Sequence, residues 1–576
     1  MITWLLWPEI LLLVGFGALS WWRPAFAKRY WNALETRVRR INPGAAFAIS
    51  FLAPLVFRAA LLPVAGIPSP TAMDEFSYVL GGETFAMGRV ANPPPPVPEA
   101  FRALYVLTTP AYVSIYPPAQ AAVLAFGQMV FGHPWWGVFL SVGLMAATAW
   151  WMMRAFASDG WAFPIALLAG LQLGVFTYWM NSYWGGSVAA IGGNLVVGAY
   201  GRLRTRLDVK AACAFTAGAV LLGLRRPYEG LFLVAAIAIL LAYDVAARRP
   251  KVEWRELTRL LGPLAAGVVG FALFTAWYDL RCTGDWRTMP YVIGDRDASA
   301  APRFVFGEPR KLPELPENIA RFEVSYHMPT YFRSRTLSGY LSLKGEQFLR
   351  AFWIFLRPAL WPPFLAGLAG IWFARRWKLG IALAICLASL LLEIPVHPHY
   401  MAPFVPLYCL LLLFGFRALR HWKPRGRPFG LAFSRSLVLV FGLAMLLSAA
   451  SLVSGSTRWA NDTEYACCGL SLPHPRDRIE AFLDSRPTDS LVLIRYGPYN
   501  PIHYEYVYNS ADPAQAKIVW VRDLGPAATV QLVRAFPGRE VWRLDVGLLP
   551  GDLALTPCGA GPVVPCASPL SLPGAR

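Results

Sequence analysis

Long apolar stretches separated by short polar turns run through most of the chain, and their lengths predict its architecture. A bilayer core about 30 Å thick takes about 20 apolar residues of helix. On that measure the stretches near 3–21, 44–64, 134–154, 160–180, 183–202, 211–226, 229–247, 258–279, 351–374, 378–395, 399–418 and 432–453 predict about twelve membrane spans. A further apolar stretch, 117–132, follows Tyr116-Pro117-Pro118 and closes at Gly132-His133-Pro134. Its marginal length predicts a short re-entrant or interfacial helix. Past residue 454 the period changes. Leu491–Tyr496, Lys517–Val521 and Val541–Leu544 are short β-type runs, and helical stretches at 476–486 and 527–536 precede the first and third. The expected fold is mainly α: a polytopic membrane helical bundle with a small C-terminal extramembrane α/β domain. Three regions follow: an extra N-terminal span and basic loop at 1–43, a membrane domain at 44–454 with long outer loops at 65–118 and 280–350, and the α/β domain at 455–576.

Composition excludes an ordinary soluble protein, with 56% hydrophobic, 14% aromatic and only 15% charged residues. The formal charge of +19 invites a nucleic-acid reading, but the basic residues sit in short clusters between apolar stretches. That is the positive-inside pattern, with anionic lipid as the counter-charge. Residues 1–8 carry no basic group, and Arg23, Lys28, Arg29, Arg37, Arg39 and Arg40 follow the first apolar run, which predicts a retained span rather than a cleaved signal peptide. This ordering leaves Met1 outside. The turns then assigned to the cytoplasm hold Arg202, Arg204, Arg206 and Lys210; Arg248, Arg249, Lys251, Arg255 and Arg259; Arg375, Arg376 and Lys378; and Arg417, Arg420, Lys423, Arg425 and Arg427. The short outer turns at 181–184 and 395–400 hold no Lys or Arg, and Arg225-Arg226 is the outer exception. The loops at 65–118 and 280–350 and the tail fall on the outer side, which implies a bacterial inner-membrane protein with a periplasmic C-terminal domain. The cysteines show no zinc spacing. Cys558 and Cys566 are a candidate disulfide, with a reduced pair as the alternative, and the adjacent Cys467 and Cys468 are less readily paired with each other.

Candidate chemistry gathers at the outer ends of the spans. Asp74 and Glu75 follow the second span, and on a helix Asp74 and Tyr78 share a face at i, i+4. A carboxylate at an apolar boundary is suited to accept a proton from a hydroxyl nucleophile. The plain alternative is a helix start that favours acidic residues through the macrodipole. Gly81-Gly82 permits another backbone or a ligand to approach closely. Arg225 and Arg226 need a partner at a helix end, either Glu229 or a phosphate, which guanidinium groups grip bidentately. His397 and His399 flank Pro398 in an outer turn, near Glu393, in a spacing poor for one metal. In the 280–350 loop, His327, Asp295 and Asp297 carry no firmer reading than a lid. The tail stretch Tyr499–Tyr506 is aromatic enough to suit carbohydrate stacking or a core, and it has no glycine-rich nucleotide loop.

An acidic pair followed by Tyr78 in the first large outer loop of a polytopic chain resembles the GT-C glycosyltransferases, integral-membrane enzymes that use polyprenyl-phosphate sugars. Tyr116-Pro117-Pro118-Ala119-Gln120 resembles the Pro-Pro helix start of the aminoarabinose- and protein-mannosyltransferase branches. Arg225-Arg226-Pro227-Tyr228-Glu229 resembles their Arg-Pro turn, Tyr278–Asp285 the opening of their second large loop, and His399-Tyr400-Met401-Ala402-Pro403 the start of a late span. These matches run in order over roughly 44–420. The resemblance implies a GT-C fold, with Asp74 as catalytic base or acceptor-positioning group and Glu75 in support. It places Arg225, Arg226, His399 and Tyr400 at the donor phosphate, and Tyr78, Tyr116 and Glu229 at the substrate. Many family members carry a second acidic residue in the next outer loop. Met180–Gly186 has none, so Asn181 and Trp184 become the candidate sugar contacts, by hydrogen bond and by stacking. No metal ligand set and no certain cofactor follows, and divalent-metal dependence stays open. The implied partners are a polyprenyl-phosphate sugar, a glycan, lipid or protein acceptor, and membrane lipids. A lipid or solute transporter without transferase activity is the alternative. It would more often place charges near span midplanes and show related halves.

Overall fold

The structure, a computed structural model, describes residues 6–248, 253–374, 376–454, 475–497, 505–547 and 552–559. A helix stands at each place where a span was expected. Among the described residues six helices are long and apolar enough to cross a membrane: Pro43–Ala60, Trp135–Met153, Pro227–Ala246, Trp254–Thr283, Pro398–His421 and Phe429–Val453. Leu6–Trp22, Pro118–Phe131, Val209–Gly223 and Trp377–Leu392 are apolar but shorter. The chain is a multi-pass membrane protein. The strict count is below the expected twelve because several helices end a turn or two before their apolar stretch does.

Two expectations are corrected. Residues 351–374 are not one continuous helix: Leu337–Phe355 and Pro358–Phe373 meet at a bend of 94°, as in a broken span or a re-entrant loop. Pro358, Pro362 and Pro363 crowd the junction, and each lacks the N–H that would continue the ladder. The segment 22–43 is not plain loop either, because Lys28–Arg40 is helical.

The chain divides into two compact units. Unit one comprises Met1–Pro68, Val138–Phe271 and Lys344–Leu470; unit two comprises Ser69–Gly137, Ala272–Leu343 and Ser471–Arg576. In unit one, glycines let backbones meet, as small residues do between membrane helices. A Cβ on Gly193 would lie 2.1 Å from the Pro403 carbonyl oxygen, which fixes helix Ser187–Leu203 against the turn Pro398–Phe404.

In unit two the tail forms a four-stranded sheet in the order Ile518–Arg522, Ser490–Tyr496, Glu540–Val546, Leu553–Cys558. The first three strands are parallel and the last antiparallel, one strand more than expected. A parallel sheet needs cover on both faces. One face buries Ile479, Leu483, Trp520 and Trp542, while the other packs Leu491, Val519 and Val541 against Val97, Ala100 and Phe101 from the first long loop. Ile319 of the second long loop packs with Tyr508, Ala511 and Leu104, so the long loops and the tail share a core, which the division into sequence regions did not anticipate. Cys558 is disulfide-bonded. Cys467, Cys468, Cys566 and residues 499–504 of the aromatic stretch lie outside the described residues.

Candidate functional site

In unit two the site is built on helix Met73–Ala86. Its start is closed by Glu75, whose Oε1 accepts from the Thr71 N–H at 3.2 Å, the Thr71 hydroxyl at 3.2 Å and the Ala72 N–H at 3.1 Å. Those amides have no helical partner, so a buried carboxylate there stabilises the first turn. Glu75 is 1% exposed. In this position the Glu75 carboxylate caps the helix start. Asp74 stays partly exposed on the same turn and accepts a hydrogen bond from the Tyr116 hydroxyl. Burial, and then the negative charge of Asp74, push the Tyr116 phenol well above its ordinary pKa, so it remains a donor at physiological pH. Tyr78 stacks on Tyr116 with ring centroids 4.3 Å apart. Tyr105 lies 5.7 Å from the same ring and Tyr291 6.3 Å. Tyr105 holds φ at 63°, a left-handed conformation that a side chain disfavours. The Ser77 hydroxyl and the Ile115 N–H, both donating to the Tyr105 carbonyl, keep it there. Gly81 and Gly82 do what their small size allowed: a Cβ on Gly82 would lie 2.7 Å from Leu124 Cβ on helix Pro118–Phe131.

The tail segment 505–512 reinforces this helix. Tyr508 stacks face to face on Phe76 at 4.4 Å, and Arg476 donates to the carbonyls of Tyr506 and Tyr508, each at 2.9 Å. Farther along, Glu83 accepts from the Ala511 N–H at 2.9 Å, and Arg89 pairs with Asp512 at 3.2 Å. Burial pushes the Glu83 carboxyl up to about 7. Neither Tyr508 nor Arg476 was legible as a neighbour of Asp74, since nothing local in a sequence marks a contact that distant.

Unit one holds a second cluster. The Tyr178 hydroxyl and His399 Nδ1 are 3.0 Å apart, the Trp184 and His399 rings 4.8 Å, and the His399 and Tyr400 rings 4.9 Å. His397 stacks on His399 at 5.7 Å. The Arg226 guanidinium lies 4.2 Å from the Tyr400 ring centre and 3.5 Å from Glu229, the partner that its spacing suggested. Arg225, expected at a donor phosphate, is 2% exposed and donates instead to the carbonyls of Trp184 and Gly185. Asn181, expected at the sugar, accepts from Arg58 Nε at 2.8 Å and donates to the carbonyls of Val175 and Thr177 at 3.0 and 2.7 Å. Both side chains hold the non-helical segment that follows helix Asp159–Gly174, where backbone groups lack helical partners. Arg58 was missed, although a lone arginine inside an apolar stretch is itself a signal.

Thus Asp74, Tyr78 and Tyr116 come together in one unit, and Trp184, Arg226, Glu229, His399 and Tyr400 in the other. His327 pairs with Glu323 at 2.6 Å, and Asp295 with Arg303 and Arg310 at 3.0 and 2.7 Å, all within the second long loop. Among the described residues no group of His, Cys, Asp or Glu is arranged to hold a metal ion.

No protein-family model matches the chain, and no curated protein matches it in sequence. Among solved structures it is similar to ArnT from Cupriavidus metallidurans bound to undecaprenyl phosphate, with TM-score 0.43 and 14% identity over 89% of this chain and 93% of that one. A second similarity is to the Archaeoglobus fulgidus oligosaccharyltransferase tethered to an acceptor peptide, with TM-score 0.39 and 12% identity over 84% of this chain. The chain spans 64% of that protein's length.

Proposed function

We propose that the protein is an integral-membrane glycosyltransferase of the GT-C type. It moves a sugar from a polyprenyl-phosphate donor to an acceptor hydroxyl at the periplasmic face of a bacterial inner membrane, with inversion. The observation that carries this reading is Asp74: a partly exposed carboxylate on a capped helix turn, oriented by the Tyr116 phenol and walled by Tyr78. Tyrosine faces suit the apolar faces of sugar rings, and the carboxylate suits a hydroxyl proton. In the reaction the acceptor oxygen attacks the anomeric carbon on the side opposite the phosphate. The bond from that carbon to the phosphate oxygen breaks, polyprenyl phosphate leaves with the electron pair, and the hydroxyl proton passes to Asp74. Taken by itself, the unit-one group of Arg226, His399 and Tyr400 suits binding of a phosphate, which a guanidinium grips.

The test compares cell-envelope glycan and glycolipid mass profiles in cells with the intact chain, without it, and with Asp74→Asn. The intact chain adds a sugar-sized mass that Asp74→Asn fails to restore at equal membrane abundance. Full restoration by Asp74→Asn would sink the mechanism.

A further inference from the structure

The basic helix Lys28–Arg40 takes no part in the chemistry above, and its sequence divides cleanly into two sides. At about 100° per residue, Tyr30, Trp31, Leu34 and Val38 fall on one arc, while Lys28, Arg29, Arg37, Arg39 and Arg40 fill the remainder. Trp31 and Val38 are half-buried, whereas Tyr30 is 82% and Leu34 49% exposed. Trp22 and Phe26, just before the helix, are exposed as well. The helix is flanked in sequence by the apolar helices Leu6–Trp22 and Pro43–Ala60, so it lies where the chain leaves and re-enters the bilayer.

Its one acidic residue is already engaged. Glu35 accepts from Arg420 at 2.9 and 2.7 Å and from Arg435 at 2.8 and 3.1 Å. Burial pushes the Glu35 carboxyl up, but hydrogen bonds from Arg435 and Arg420 outweigh it and hold the group at about 2. The same contacts, with Arg435 donating to Asn32 at 2.7 Å, pin the helix to Val405–His421 and Phe429–Val453. All five basic side chains of the helix remain exposed.

We propose that Lys28–Arg40 is an interfacial helix that binds the headgroups of anionic phospholipids in the adjoining leaflet. Tyr30 and Leu34 enter the acyl boundary, and Arg29, Arg37 and Arg40 meet lipid phosphates. A helix with an apolar arc and a dense basic face has this preference, and excess positive charge selects anionic over zwitterionic lipid. The Glu35 anchor fixes the helix in place before lipid arrives, so the ordering cost of binding is small.

The test uses the full chain in detergent, with native mass spectrometry reading retained phosphatidylglycerol against phosphatidylcholine during titration. The expected result is selective retention of phosphatidylglycerol, weakened at least tenfold in Arg29→Gln/Arg37→Gln/Arg40→Gln, with phosphatidylcholine unchanged. A charge-matched control in another basic turn, Arg204→Gln/Arg206→Gln/Lys210→Gln, keeps the selectivity. Arg37→Gln alone, which leaves the Glu35 anchor intact, gives a smaller loss in the same direction and serves if the triple variant misfolds. No preference in the unaltered chain, or equal losses in the two triple variants, overturns the proposal.

Discussion

The Asp74 helix and the Arg225 turn both place a charge among aromatic rings, yet they use it in opposite ways. In unit two the polar partners of the helix start are satisfied by Glu75, which leaves Asp74 partly exposed with the Tyr116 hydroxyl on it. In unit one Arg225 is buried and turned to two backbone carbonyls, while its neighbour Arg226 keeps a longer contact to Glu229 and lies against Tyr400. Each region therefore has an adjacent pair of like charges in which one member holds the backbone and the other remains at a surface. What separates chemistry from scaffolding within such a pair is burial and backbone need, which neighbouring residues of one type do not share.

The largest expected effect is at Asp74. Asp74→Asn lowers transfer by about 10²–10⁴-fold, the range for loss of a general base, with little change in thermal unfolding. Glu75→Gln does the reverse, costing about 1 kcal/mol of stability and little turnover. Exchange of these two outcomes would break the comparison. Next is Arg225→Met, which strips donors from two buried carbonyls and destabilises the folded protein by about 3 kcal/mol in a detergent unfolding assay. Arg226→Lys keeps a cation beside the buried Glu229, leaves the melting curve close to unchanged and raises the apparent KM for the lipid-linked donor.

Glu83 supplies a pH test of unit two. Its carboxyl moves from 4.5 to about 7 on folding because burial disfavours the charge. Between those values the native chain holds a proton that the unfolded chain has released. Stability therefore falls as pH rises from about 4.5 to 7, by roughly 3 kcal/mol in all, and levels off above that. Glu83→Gln flattens this slope, and an unchanged slope would remove Glu83 from the account. The smallest effect is at Tyr116. Tyr116→Phe keeps the stack on Tyr78 and loses one charge-assisted hydrogen bond, so kcat falls about tenfold without loss of fold. A melting temperature that falls while kcat holds would make Tyr116 a packing residue only.

Much of the fold was legible because its signals are local. Apolar length placed the helices, short β-type runs placed three of the four strands, and Gly81-Gly82 announced a close helix contact. The bend in 337–373 was missed, although Pro358, Pro362 and Pro363 were visible, because hydropathy averages over prolines. The helix Lys28–Arg40 was missed because a search for spans overlooks polar helical periodicity. At the site, Asp74, Tyr78 and Tyr116 were found by order and spacing, and the Arg226–Glu229 pair by an i, i+3 interval. For Asn181 and Glu75 the positions were readable, but the backbone groups that they satisfy were not.

The sequence by itself determined that this is a multi-pass membrane protein, since no other fold class accommodates so many apolar stretches with basic turns between them. It also determined which charged residues stand at the ends of those stretches. Tertiary structure alone decided that the two long loops share a core with the tail, that Tyr508 and Arg476 buttress the Asp74 helix, and that Arg225 donates to the carbonyls of Trp184 and Gly185. Those outcomes depend on contacts between residues from tens to hundreds of positions apart, made where buried groups needed partners. Periodicity carries no record of such contacts.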